Sequence, residues 1–170
     1  RKMSGCGLPR SPSAGLTTVC TQPSTPNYLN ASAMVSGVDA VQAASVFAGL
    51  QRCVTVHGVR GFVARNVCPE DGTSVYINSS RDQVTHFVHG LWQYYHSPLS
   101  TDATKAQIRT VLADVAERML AFVTPENDYD FLRADGQRCP LGICRMGNVQ
   151  AHEAARLPMI YAAAGDVTRN

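Results

Sequence analysis

INSSRDQVTHFVHGLWQYYHSP, residues 77–98, divides into two faces when read at the spacing of an α-helix. Val84, Phe87, Val88, Leu91, Trp92 and Tyr95 fall on one side. Asp82, His86, His89, Gln93 and His96 fall on the other, just after Arg81. An apolar stripe of that width has to be covered, so the helix belongs in a packed helical array. Ser80-Arg81-Asp82-Gln83 marks its start as a capping box. The Ser80 hydroxyl is expected to accept the Gln83 N–H, and the Gln83 side chain to reach back. Asp82 in the first turn suits the positive end of the helix dipole. The helix is expected to end near His96, before Ser97-Pro98.

Working outward, three more helices are predicted. The first runs from about Gly37 to Val56, with Val41, Ala44, Phe47, Ala48 and Val54 as its stripe, Ser36 as cap and Gly58 as stop. The third follows within a few residues, capped by Ser100 or Thr101 and reaching about Val123. Its stripe is Ile108, Val111, Leu112, Val115, Met119 and Val123. The fourth covers about Asn148 to Ala164, with Pro158 as a kink and Gly165 as stop.

Between them lie one short turn and two long connections. In GVRGFVARNVCPEDGTSVYINSS, the runs Phe62 to Arg65 and Ser74 to Ile77 flank a turn at EDG and read as a small hairpin. TPENDYDFLRADGQRCPLGICRMG carries a second turn signal, RADGQ. Short connections make antiparallel neighbours. Both long connections therefore fall at one end, with the N-termini of the second and fourth helices, and such loops gather functional residues. The fold class is all-α: antiparallel helical hairpins with short β-hairpins in the long loops. Residues 1–34, rich in Ser, Thr, Pro, Gly and Asn, read as an extended or loop-rich segment before a helical domain over 35–170.

Composition excludes several classes. The 170 residues are enough for one domain with its own core, and 45% are apolar. A net charge of +2, from 15 basic and 13 acidic residues, argues against nucleic acid or an anionic membrane as partner. No apolar run approaches the length of a membrane span. RKMSGCGLPRSPSAGL is basic but lacks the apolar core of a signal peptide, and the chain does not begin with Met, so an upstream part is expected. Compartment stays open, with a periplasmic or secreted location compatible.

Six cysteines stand at 6, 20, 53, 68, 139 and 144. Cys139 and Cys144 form a C-x4-C pair without a second pair at zinc spacing, which leaves a loop-closing disulfide or two thiols. Cys53 falls within a helical apolar pattern and reads as a buried small hydrophobe.

GFVARNVCPEDGTSVYINSSRDQVTHFVHGLWQYYHSPLS and the later FLRADGQRCPLG with NVQAHEAARLPMIYAAAGD resemble bacterial proteins of the six-hairpin glycosidase superfamily, the (α/α)6 toroids. The likeness spans roughly residues 37–168 and is one of pattern. It implies a carbohydrate substrate held in a cleft at the N-terminal ends of inner helices, and an activity among glycoside hydrolases, glucuronyl hydrolases or polysaccharide lyases. A complete toroid has twelve helices where this chain shows four, so further helices are expected from the same or another chain.

The candidate chemistry sits at the loop end. Asp82 is the candidate acid, because glycoside hydrolysis uses carboxylates as acid and base or nucleophile. Its plainer role is as dipole partner. A second carboxylate could be Asp128, Asp130, Asp135 or Glu153. His86 is the second catalytic candidate, as general acid or base, and His89 a binding group. Both also read as helix-packing or solvent-facing residues. His86 and His89 lack a third metal ligand, so no metal and no cofactor is expected. Arg65, Arg81 and Arg145 can grip an acidic sugar with their guanidinium forks or form structural salt bridges, and Gln83 joins them as a binding candidate. Trp92 reads as a sugar platform or, preferably, as packing between helices. Asn30-Ala31-Ser32 and Asn78-Ser79-Ser80 are sequons. Three functions compete: a carbohydrate-active enzyme acting by hydrolysis or elimination, a non-catalytic helical module binding glycan or protein, and a redox or metal module built on Cys139 and Cys144.

Overall fold

The computed structural model describes residues 40–140 and 142–169. The described residues are mostly helical: α1 Ala40–Thr55, α2 Arg81–His96, α3 Asp102–Phe122, a 3-10 turn Pro125–Asn127, a single-turn α4 Ala151–Ala154, and α5 Arg156–Arg169. Among them there is no β-strand, only two isolated antiparallel bridges, Val67 with Val75 and Asp130 with Arg145. No helix of the described residues is long and apolar enough to cross a membrane. The expected start of the first helix, its Ser36 cap and the segment 1–34 lie outside the described residues.

The two-faced reading of residues 77–98 holds in α2. Val84, Phe87, Val88, Leu91, Tyr94 and Tyr95 are buried. Asp82 and His96 are exposed, and His86, His89 and Gln93 lie at the boundary. The buried stripe enters one core with Phe47 and Leu50 of α1, Ile108, Leu112, Val115 and Met119 of α3, and Ile160, Ala163, Ala164 and Val167 of α5. α5 packs against both α2 and α3, which also touch each other. α1 joins through the Phe47 and Tyr94 rings, 5.6 Å apart, and through a 3.1 Å bond from Gln51 to Gln107.

The caps behave largely as expected. Ser80 and Thr101 are the N-caps of α2 and α3, their hydroxyls accepting the N–H of Gln83 and Thr104. The second half of the capping box is not made, since the buried Gln83 Oε1 accepts no hydrogen bond. The predicted fourth helix divides at Ala155 into α4 and α5. Pro158 then falls in the first turn of α5, where its missing N–H costs nothing. Gly165 does not stop α5, which continues to Arg169 because Val167, fully buried, extends the apolar stripe by another turn.

The two long connections meet at one end. Ala134 N–H donates to the Ile77 carbonyl at 2.9 Å, and Arg81 N–H to the Ile143 carbonyl at 2.9 Å. In the first connection the chain reverses at Gly72, with Cys68 N–H bonded to Ser74 O, and pairs only at Val67 and Val75. The Phe62–Arg65 run expected as a strand is instead irregular chain over α1, with Phe62, Val63 and Ala64 buried, Arg65 partly exposed, and Ala64 N–H donating to Cys53 O. In the second, the RADGQ turn forms, with Gly136 at φ 79° and Arg133 N–H on Gln137 O. Its outer arms, 129–131 and 144–146, lie antiparallel through the bonds Phe131 N–H to Cys144 O and Met146 N–H to Tyr129 O.

Candidate functional site

The sequence nominated charged residues at the loop end of α2, and the fold gathers most of them there. Arg81 leads α2 and turns toward the second connection. Its Nε donates to Glu153 Oε2 at 2.6 Å, and its Nη1 reaches the carbonyls of Gly142 and Arg145 at 3.2 and 3.3 Å. Glu153 sits in α4 and also faces Arg156 Nε at 3.1 Å. Arg156 in turn donates to Asp82. The chain Arg81, Glu153, Arg156, Asp82 thus alternates in sign across α2, α4 and the start of α5. The hydrogen bond from Arg81 is the main reason the Glu153 carboxyl lies below its ordinary pKa. Charge-assisted bonds of this kind favour the ionised form.

A second charged group lies beside the first. Arg145 donates to Asp128, and Arg138 to both Asp128 and the buried Asp130 at 3.2 Å. Asp128 and the adjoining Tyr129 both adopt left-handed backbone, at φ 54° and 58°. Non-glycine residues accept that region only when surroundings impose it. Here Asp128 is gripped by two arginines and Tyr129 N–H is held by Thr124 O at 2.8 Å. The Tyr129 ring lies so close to Gly147 that a Cβ there would be 3.0 Å from it.

The nominated histidines lie elsewhere along α2. His86 bonds through Nδ1 to the carbonyl of Asp82, 2.7 Å away in its own helix. His89 meets Gln93 at 3.2 Å, and its ring stacks beside Trp92 with centroids 6.4 Å apart. Trp92 packs its body on the core, and its indole N–H donates to Asp166 of α5 at 2.8 Å. His96 Nε2 meets the same carboxylate oxygen at 2.8 Å. The indole and imidazole bonds hold the Asp166 carboxyl below its ordinary pKa. Asp166 was missed in the sequence because its partners lie on another helix and no motif marks it. Arg65 stacks over Tyr76, 6.0 Å from the ring centre. Asn78, the acceptor of the second sequon, is buried. Asn30 lies outside the described residues.

The cysteines behave differently from one another. Cys53 is buried as expected, but it is no simple hydrophobe: Cys53 and Cys68 are both disulfide-bonded. Cys139 and Cys144 are free, buried thiols. Among the described residues no group of three or more His, Cys, Asp or Glu could hold a metal ion. No known protein family, curated protein or solved structure matches the chain.

Proposed function

We propose that the chain is a non-catalytic, glycan-binding unit of a carbohydrate-active protein built from helical hairpins. One observation carries this over a hydrolase or lyase: Asp82, Arg81 and Arg145 are each engaged with an opposite charge, through Arg156, Glu153 and Asp128. A general acid or nucleophile must have its carboxylate turned to substrate with a pKa suited to the task. The Asp82 and Asp128 carboxylates are instead taken up in ion pairs with Arg156 and Arg145. Toroid membership, with further helices completing the ring, extends the same reading.

The binding surface in this reading is the boundary face of α2. The His89 and Trp92 rings offer adjacent flat faces for the C–H side of a sugar ring. The Gln93 amide and the His96–Asp166 pair beside them offer polar partners for hydroxyls. Disulfide bonding of Cys53 and Cys68 fits an oxidising, extracytoplasmic setting.

Trp92, the only tryptophan in the chain, makes the test direct. Neutral and uronate-containing oligosaccharides are titrated while indole fluorescence and released reducing ends are followed together. The expected result is a saturable fluorescence change without bond cleavage, weakened at least about tenfold by His89→Ala, a loss of ~1.4 kcal/mol. Cleavage that Asp82→Asn abolishes would return the reading to a glycoside hydrolase or lyase. No response to any sugar would remove glycan binding.

A further inference from the structure

We propose that Cys139 and Cys144 are a disulfide-forming pair whose closure locks the loop that seats the start of α2. Both thiols are free and buried in the same core cluster, five positions apart in the chain. Gly142, between them in the chain, has φ 62°, and its carbonyl accepts the Arg145 N–H at 3.2 Å. Cys144 Sγ donates to the Ser79 carbonyl at 3.2 Å, one residue before the α2 cap. The same loop supplies the Ile143 carbonyl to Arg81 N–H and the Gly142 and Arg145 carbonyls to the Arg81 guanidinium. Its Cys144 carbonyl accepts Phe131 N–H. A covalent closure from 139 to 144 therefore fixes the groups that hold Arg81 at the head of α2.

The other described cysteines, Cys53 and Cys68, are already disulfide-bonded, so a setting that oxidises them supplies an oxidant for this pair. The oxidant is a disulfide, either of a small thiol such as glutathione or of an oxidoreductase. Cys139, as thiolate, attacks one sulfur of that disulfide and releases one thiol, leaving a mixed disulfide. Cys144 gives up its proton, attacks the Cys139 sulfur and releases the second thiol. Two protein thiols become one protein disulfide as one external disulfide becomes two thiols. Burial is the main cause that raises the Cys144 thiol pKa, with the Cys139 side chain adding to the rise, so the step that needs the Cys144 thiolate is the slow one.

The full chain is equilibrated in oxidised and reduced glutathione, quenched with acid, denatured and alkylated, and the peptides holding Cys139 and Cys144 are weighed. The expected product is unalkylated, lighter by two hydrogens than the dithiol, and joined within the 139–144 segment. Full alkylation of both, or linkage of either to another cysteine, overturns the pairing. Cys144→Ser should leave Cys139 alkylated or carrying glutathione. For the locking, hydrogen exchange at the Arg81 amide is compared between oxidised and reduced protein. Slower exchange by fivefold or more after oxidation is expected, and equal rates would overturn it.

Discussion

His57 shows how one side chain's surroundings decide its chemistry. Its ring lies between two backbone groups: Nδ1 accepts the Val59 N–H at 3.0 Å, and Nε2 faces the Cys53 carbonyl at 3.0 Å. Only the neutral ring with its proton on Nε2 satisfies both, because a proton on Nδ1 would point at another N–H. Burial is the largest cause pushing the His57 pKa below its usual 6.5, and Arg118 adds repulsion. The unfolded chain thus binds more protons than the folded one in the window just below that value. Stability falls as pH drops through that window and is regained as pH rises. Denaturation midpoints at pH 7.5 and 5.5 should show the loss, and His57→Gln should shrink the difference between them. Asp71 acts in the same direction at lower pH. The Ser74 hydroxyl and the Thr73 and Ser74 amides hold its carboxyl at about 2, so its contribution is complete above the ordinary carboxylate range and disappears as pH falls toward that value. Asp71→Asn should flatten the acid limb of the unfolding curve. The His57 shift was not legible in the sequence, since it depends on burial and on Arg118 brought close by the fold, whereas the Asp71 shift comes from Thr73 and Ser74, its near neighbours in the chain.

At the scale of elements, the local signals were the readable ones. The Ser80 cap and the end of α2 at His96 stand where the sequence placed them, and of the two caps it offered for α3, Ser100 and Thr101, the structure uses Thr101. Each rests on residues within four positions of one another, so the chain chemistry decides them. Ser80→Ala should cost about 1 kcal/mol, read from urea denaturation. Gly61 carries a constraint that its neighbours in sequence do not reveal. It has φ 70°, and a Cβ there would lie 2.2 Å from the Asp114 carbonyl oxygen of α3. Gly61→Ala should therefore cost more than the ~1–2 kcal/mol of left-handed backbone alone, again measured by denaturation. The stops failed where tertiary packing overrode them. Gly165 was expected to end the last helix, yet burial of Val167 rewards another turn. The hairpins reduced to isolated bridges because their arms are held by α1, α3 and each other, not by a ladder of their own.

For the whole molecule, the disulfide bonding of Cys53 and of Cys68 adds covalent restraint to the packed core. Cys53 anchors α1, and Cys68 lies in the first long connection. Cys53→Ala should lower stability by about 2–5 kcal/mol under oxidising conditions, and added dithiothreitol should erase most of the difference from the unaltered chain. Hydrophobic periodicity by itself determined that the described residues are mostly helical, where three of the helices lie and which faces α2 and α3 bury. It could do so because a helix repeats every few residues and its apolar stripe is written into neighbouring positions. In α1 it misjudged the face, since Val41, Ala44 and Ala48 of the expected stripe are exposed while Ala43, Leu50 and Cys53 join Phe47 in the core. It also placed Arg81, Asp82 and Arg145 at one end of the array. Only the tertiary structure decided what those residues do. The partner of Arg81 is 72 positions away and that of Asp82 is 74 away. Asp166 reaches Trp92 and His96 across a separation of 74 and 70. An ion pair is selected by distance in space, and nothing in a local pattern marks which distant opposite charge the packing of α4 and α5 will bring within reach.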